Sequence, residues 1–454
     1  MTMLIGIRRA TGCRRLWEVM LSVLLGAAIP GCLESSMSYS PDGKHLALVT
    51  CEPVSPEGLY VQGGHSYRLM ILSDRKALKV LEDSRTDMLS GPAFSPDGRR
   101  LCYLRIPLPA ADQLEKLQEE AEERLKKLAE LRALGCDEWT RAVTDPRGGD
   151  QTKPLLETTD ATLPGVAGTG HMLHYMMVHP QVTGQLVVRD STSGQIVTTT
   201  PVEVPFPDPA ADYHVTRVRY GPRGKFVYVG TAMAVHRIHP VLETCHRLAA
   251  PAYATRLSPD GKTLATLQQR AIAFVATDGS KAVYRKWPTA ASTTGIAWAD
   301  NDTLAVLSYR EGAAEDGSDV KTLHFVRKDG EPQKAVDLEL PGDPGACKDG
   351  EIAVSPDGKR LVVTYMKDVH FLDRAGKVLK HIHDEKALLL GNPTFRPDGQ
   401  AVAVKRIVKV GENAFRVAEV LFFTPDGERL AARKIPSIRP DPDQAPTTAT
   451  APAE

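Results

Sequence analysis

The chain has 454 residues, of which 42% are hydrophobic and 25% charged, enough apolar material for a large folded core and too much for an unstructured chain. Lysine and arginine total 56, as do aspartate and glutamate, and a net charge of zero argues against a nucleic-acid partner, which demands a basic face. Among the 7 cysteines no two have the CxxC spacing of a zinc or thiol–disulfide site.

Arg8, Arg9, Arg14 and Arg15 precede an apolar stretch, Val19 to Ile29, which runs into Pro30, Gly31 and Cys32. A basic region, a short apolar core and small residues before a cleavage point predict an export signal over residues 1–31. At about 11 residues the core is too short to span a bilayer comfortably, which disfavours a retained membrane helix. With Ile29 and Gly31 before it, Cys32 resembles the cysteine of a bacterial lipobox. The resemblance implies that Cys32 becomes the first mature residue and the site of lipid attachment, a short tether that holds the following domain close to a membrane. The alternative is an ordinary signal peptide with a cysteine nearby. Removal of Cys13 and acylation of Cys32 leave Cys51, Cys102, Cys136, Cys245 and Cys347, an odd number, read as buried free thiols or one bridge.

From residue 39 onward one phrase returns along the chain. Intact copies are Ser40-Pro41-Asp42-Gly43, Ser95-Pro96-Asp97-Gly98, Ser258-Pro259-Asp260-Gly261 and Ser355-Pro356-Asp357-Gly358; altered copies stand at Gly221–Gly224, Ala299–Asp302 and Arg396-Pro397-Asp398-Gly399. Proline presets φ for a type I turn, aspartate caps the turn with its side chain, and glycine accepts the left-handed conformation that follows. Each copy therefore predicts a hairpin corner, and apolar runs such as Leu46–Val49, Leu264–Leu267, Leu304–Leu307 and Leu361–Val363 predict the buried strand after it. A second hairpin follows in most units, where Leu69–Leu72, Leu186–Val188, Ile272–Val275, Leu323–Val326, Val369–Leu372 and Val420–Phe423 each precede a polar turn. Two hairpins on a period of roughly 40 residues make a four-stranded unit, the pattern of a propeller blade.

These residues resemble the WD-repeat-like or TolB-like β-propeller repeat, in which the same turn phrase opens each blade. The expected fold class is all-β: a seven-bladed β-propeller of four-stranded antiparallel blades over residues 32–435. The gap after the second copy is longer than a blade. There Asp112 to Leu134 carries Leu114, Leu117, Ala121, Leu125, Leu128 and Leu131 at helical spacing, with Glu122/Lys126 and Glu123/Lys127 pairs opposite. This predicts one long amphipathic helix inserted in the second blade, within an insertion over 107–170, packed on the propeller itself or docked on another protein. Thr144 to Gly170 reads as a return loop that restarts the blade near His171; Pro201 to Asp212, with four prolines, reads as a surface connection; and 436–454, rich in Pro, Thr and Ala, reads as a disordered tail.

No GxSxG elbow, HExxH helix, Walker loop or dinucleotide fingerprint is present, so no catalytic residue and no cofactor are expected. His171, Met172, His174, Met176, Met177 and His179 form the densest group of soft ligands, but alternate strand residues point to opposite faces and the six would not converge. His381 and His383 share a strand face with no third ligand evident, and read as a surface pair. Glu311, Glu315, Asp316 and Asp319 lack the alternation of a calcium loop. The recurring Asp42, Asp97, Asp260, Asp357 and Asp398, with Gly43, Gly98, Gly261, Gly358 and Gly399, are expected to be structural turn residues, not catalysts.

The expected function is an exported, lipid-anchored propeller of the bacterial cell envelope that binds or scaffolds other envelope proteins through a ring face or the inserted helix, and touches the membrane through Cys32. The alternative is an enzyme or small-ligand or glycan receptor with its site in the central channel, which converging His, Asp, Glu, Arg or Tyr side chains would favour.

Overall fold

The computed structural model describes residues 37–54, 62–73, 78–110, 113, 116, 181–205, 217–231, 235–249, 254–268, 271–286, 292–310, 320–340, 350–410 and 415–438. Within them the strands form seven sheets of four, each built from four consecutive strands paired antiparallel. The chain is a seven-bladed β-propeller.

The innermost strands of blades 1 to 7 are Ser38–Tyr39, Asp87–Phe94, Arg217–Tyr220, Ala254–Leu257, Ser292–Trp298, Glu351–Val354 and Leu389–Phe395. Each touches the next around the centre, and the last touches the first, so the contacts close a circle. The second and third strands of each blade hold most of the core, with Leu48, Leu69, Leu101, Val187, Val229, Leu264, Val306, Val362 and Val404 all essentially inaccessible. The fourth strands, such as Pro332–Leu338 and Arg429–Lys434, are largely exposed and form the rim.

The SPDG corners join the first and second strands, and their geometry repeats closely. Ser40 Oγ donates to Asp42 Oδ1 at 2.6 Å and accepts from His45 N at 2.9 Å, while Asp42 Oδ1 accepts from Lys44 N at 3.1 Å. Ser95 with Asp97, Ser258 with Asp260, and Ser355 with Asp357 repeat this. At Asp398 the Arg396 Nε takes the place of the serine hydroxyl, at 2.8 Å. Gly43, Gly98, Gly261, Gly358 and Gly399 all have φ between +69° and +72°. The corners also lean on one another. A Cβ on Gly98 would lie 3.5 Å from Pro41 of blade 1, one on Gly399 3.6 Å from Pro356 of blade 6, and one on Gly261 would run into Pro222 of blade 3. In blade 5, where Asn301 stands instead of a Pro-Asp-Gly turn, the Asn301 amide oxygen accepts Asp260 N of blade 4 at 2.9 Å. The repeated phrase is thus a turn and also an inter-blade contact.

Among the described residues ring closure uses no exchanged strand. Blade 1 residues Met37, Leu46, Leu48, Met70 and Leu72 share one core with Ala403, Ile407, Val417, Val420 and Ile435 of blade 7. Across the same seam Arg68 Nη1 donates to Pro436 O at 3.1 Å, Ile438 N donates to Glu52 Oε2 at 2.8 Å, and the buried Lys405 Nζ donates to Val49 O at 3.3 Å.

Two expectations are corrected. The long helix inserted in the second blade is not found as an element among the described residues, where every element is a strand. Of Asp112 to Leu134 only Gln113 and Lys116 are described. The second blade has its four strands among the described residues, because Arg100–Pro107 pairs directly with Gln181–Asp190, Arg100 opposite Asp190. A helix held by i,i+4 pairs alone gains only tenths of a kcal/mol from each and depends on a docking face, so heptad-like spacing was not sufficient ground for it. Pro201 and Pro205 are the other correction: they lie in the rim strand Ile196–Pro205, opposite Gln185 and Gln181. A sheet edge tolerates proline because the missing N–H faces away from the ladder.

Candidate functional site

Blade 3 opens on Arg217-Val218-Arg219-Tyr220, and strand alternation puts both arginines on one face while Val218 is buried on the other. Arg217 Nη2 reaches Glu351 Oε1 at 3.5 Å. Those residues belong to blades 3 and 6, on opposite sides of the ring, so the pair spans the central channel. Glu351 Oε2 also accepts a close hydrogen bond from Asn392 N of blade 7. From blade 4, Arg256 joins the cluster, close enough to feel the charges of Arg217, Arg219 and Glu351.

Of the three guanidiniums, Arg217 is the one paired with the carboxylate. Among the described residues neither Arg219 nor Arg256 has a carboxylate within ion-pair reach; each donates only to a backbone carbonyl, Val218 O at 3.0 Å and Thr255 O at 3.1 Å. Burial and the charge of Arg217 pull the Arg219 guanidinium down to about 10. Burial, Arg217 and Arg219 hold Arg256 well below the usual range, and Glu351 offsets only part of this. The buried Arg217 Nε has no hydrogen-bond partner among the described residues. In other charged clusters every guanidinium has a carboxylate in reach: Glu82 takes both Arg105 and Arg189, with Tyr103, between blades 1 and 2, and Arg406 sits between Asp384 and Glu419 at 2.8 Å from each. Surplus buried cation in a channel is suited to receive an anion, since arginine does not shed its proton and offers several planar donors.

A second cluster lies on blade 6, where strands Asp368–Asp373 and Val378–His383 pair with Asp368 opposite His383 and His370 opposite His381. Asp368 Oδ1 is 2.6 Å from His381 Nε2 and 2.8 Å from His383 Nδ1; His383 Nε2 is 3.2 Å from Glu385 Oε1. His370 stacks on His381 with ring centroids 4.7 Å apart, and beyond it come Tyr365 and Lys321, whose Nζ lies 4.7 Å from the Tyr365 centroid. The hydrogen bond to Asp368 raises the His383 pKa, whereas burial and His381 lower that of His370 to about 4.

His381 and His383 thus have the third partner that the sequence did not reveal. Asp368 is 13 and 15 residues away in sequence and meets them only through strand register. The channel arginines were also missed; the signal available was two arginines at i,i+2 in an otherwise apolar first strand. Cys32, the His171–His179 group, and Glu311, Glu315, Asp316 and Asp319 lie outside the described residues. Cys51, Cys102 and Cys245 are reduced thiols, Cys102 buried with its pKa pushed up by desolvation; Cys136 and Cys347 fall outside the described residues.

No family model matches the chain, and no curated protein does. Solved structures do match. Kuenenia stuttgartiensis hydrazine synthase is 15% identical, with 82% of this chain and 93% of that chain covered at a TM-score of 0.48. A chain of the mitotic checkpoint complex is 11% identical, with 82% and 83% covered at a TM-score of 0.45. The fold assignment rests on the seven sheets themselves, and these similarities carry nothing about activity.

Proposed function

We propose that this chain is an exported propeller of the TolB-like, WD-repeat-like kind, tethered in the bacterial cell envelope by lipid on Cys32, that works by binding. Its recognition face is the one on which the central channel opens, and its partner is an envelope protein that presents an acidic group to Arg217, Arg219 and Arg256. The observation that supports this reading is the cross-channel cluster, in which Glu351 pairs with Arg217 while Arg219 and Arg256 crowd in without a carboxylate within ion-pair reach among the described residues. A carboxylate or phosphate entering there would gain charge-assisted, bidentate hydrogen bonds and relieve cation crowding.

The same cluster favours a second reading, a receptor for a small free anion or acidic glycan in the channel. Crosslinking in the native envelope followed by mass spectrometry separates the two. A protein partner predicts crosslinks that cluster around the channel mouth and disappear in Arg217→Ala/Arg256→Ala; a small-ligand receptor predicts no such protein and direct binding of an acidic sugar or phosphate. The tether is tested separately: Cys32→Ala should release the protein from membranes washed with carbonate, and retention would refute lipid attachment.

A further inference from the structure

We infer that the blade 6 cluster is a binding site for a divalent first-row transition ion of the zinc class, held by Asp368, His381 and His383, with Glu385 as the outer carboxylate. The three donor atoms lie within 4.8 Å of one another, on adjacent strands whose register brings them to one sheet face. Two imidazoles and one carboxylate are a donor set suited to zinc-class ions, and three protein ligands leave an outward position for water or a partner's donor.

The far nitrogen of His383 supplies an independent observation. An imidazole that binds a metal through one nitrogen characteristically donates its other N–H to a carboxylate, and His383 Nε2 meets Glu385 Oε1 at 3.2 Å. Here two histidines converge on the same oxygen and a second carboxylate stands behind one of them.

Ion entry is chemically simple. Without metal, His381 Nε2–H and His383 Nδ1–H both donate to Asp368 Oδ1. On binding, those two nitrogens give up their protons and present lone pairs; the His383 proton passes to Nε2, facing Glu385, and that of His381 to Nδ1, or either is released to solvent if the ring was doubly protonated. Metal–ligand distances of about 2.0–2.2 Å set neighbouring donors about 3.3 Å apart, so the oxygen opens from the two nitrogens by about 0.5–0.7 Å. The His381 and His383 side chains are 26% and 38% exposed and have room for this.

The test is titration of the chelator-treated full chain with Co2+, read by visible absorption, and with Zn2+, read by calorimetry. The 13 histidines make single-site differences the decisive readout. Wild type should take one more equivalent than His383→Gln or His381→Gln and show a cobalt band that both variants lose; Glu385→Gln should weaken affinity about 10–100-fold without abolishing the band. His383 and Glu385 are the most exposed members, so their variants should keep the wild-type unfolding midpoint. An unchanged stoichiometry and spectrum in His383→Gln, or no uptake by wild type, overturns the site.

Discussion

Replacing Glu351 by glutamine removes one negative charge from the channel and little else, because the amide oxygen can still accept the Asn392 N–H. At the 3.5 Å separation from Arg217 the lost attraction is about 5 kcal/mol at an effective dielectric constant of about 20. Partial solvent access to the pair lowers the expected cost to about 2–4 kcal/mol, below the about 3–5 kcal/mol found when one partner of a fully buried ion pair is deleted. Urea unfolding followed by tryptophan fluorescence in low salt should report that loss. Inorganic phosphate should then restore at least half of it, while chloride at equal ionic strength restores less, since screening alone does not supply a hydrogen-bond acceptor. The complementary variant, Arg256→Met, removes a crowded cation and should be neutral or stabilising, with a smaller phosphate effect. A Glu351→Gln loss below about 0.5 kcal/mol, or equal recovery in both salts, would refute the view that Glu351 offsets the crowding of Arg217 and Arg256.

Three further outcomes follow from the geometry. Gly98→Ala and Gly261→Ala impose the same left-handed strain, about 1 kcal/mol, but a methyl at 98 meets Pro41 at an ordinary 3.5 Å whereas one at 261 collides with Pro222; urea midpoints should show Gly261→Ala costing about 1–3 kcal/mol more, and equal costs would mean the corners do not brace each other. Asp42, Asp97 and Asp357 have pKa values lowered first by their serine hydroxyls, and Asp260 is lowered by Ser258 against its burial, so this contribution to stability is present above the ordinary carboxylate pKa and is lost as pH falls through the lower folded values. Ser355→Ala should therefore move the Asp357 titration upward by NMR and shrink the acid-side loss of stability; no movement would contradict the hydroxyl as the cause. Glu52→Ala removes the acceptor for Ser437 and Ile438, so hydrogen exchange should rise selectively at the blade 1–blade 7 seam, and uniform protection would show that the apolar core closes the ring unaided.

Blade number and strand order were legible because they follow from local chemistry repeated many times. Each Ser-Pro-Asp-Gly corner specifies its own turn, and the apolar run after it specifies a strand whatever the rest of the chain does. The helix expected over Asp112 to Leu134 drew on the same kind of local periodicity, without a demonstrated surface to receive its apolar stripe, and that was the weaker inference. Proline in the rim strand of blade 2 shows the converse: a residue read as a breaker is harmless where a sheet has a free edge.

What was not legible is whatever the closing of the ring creates. Arg217 and Glu351 stand more than a hundred residues apart and meet only because blades 3 and 6 face each other across the channel. Asp368 meets His381 and His383 because one hairpin pairs in one register; a slip of one residue would turn the histidines to the opposite face. The two clusters also differ in the kind of ligand they suit. The channel concentrates positive charge around a carboxylate already engaged by Arg217 and Asn392, so it favours anions. The blade 6 cluster offers neutralisable imidazoles beside carboxylates, so it favours cations. Opposite demands at separate places on one rigid ring can be tested independently: phosphate should act through Arg256 and not His383, and a zinc-class ion through His383 and not Arg256.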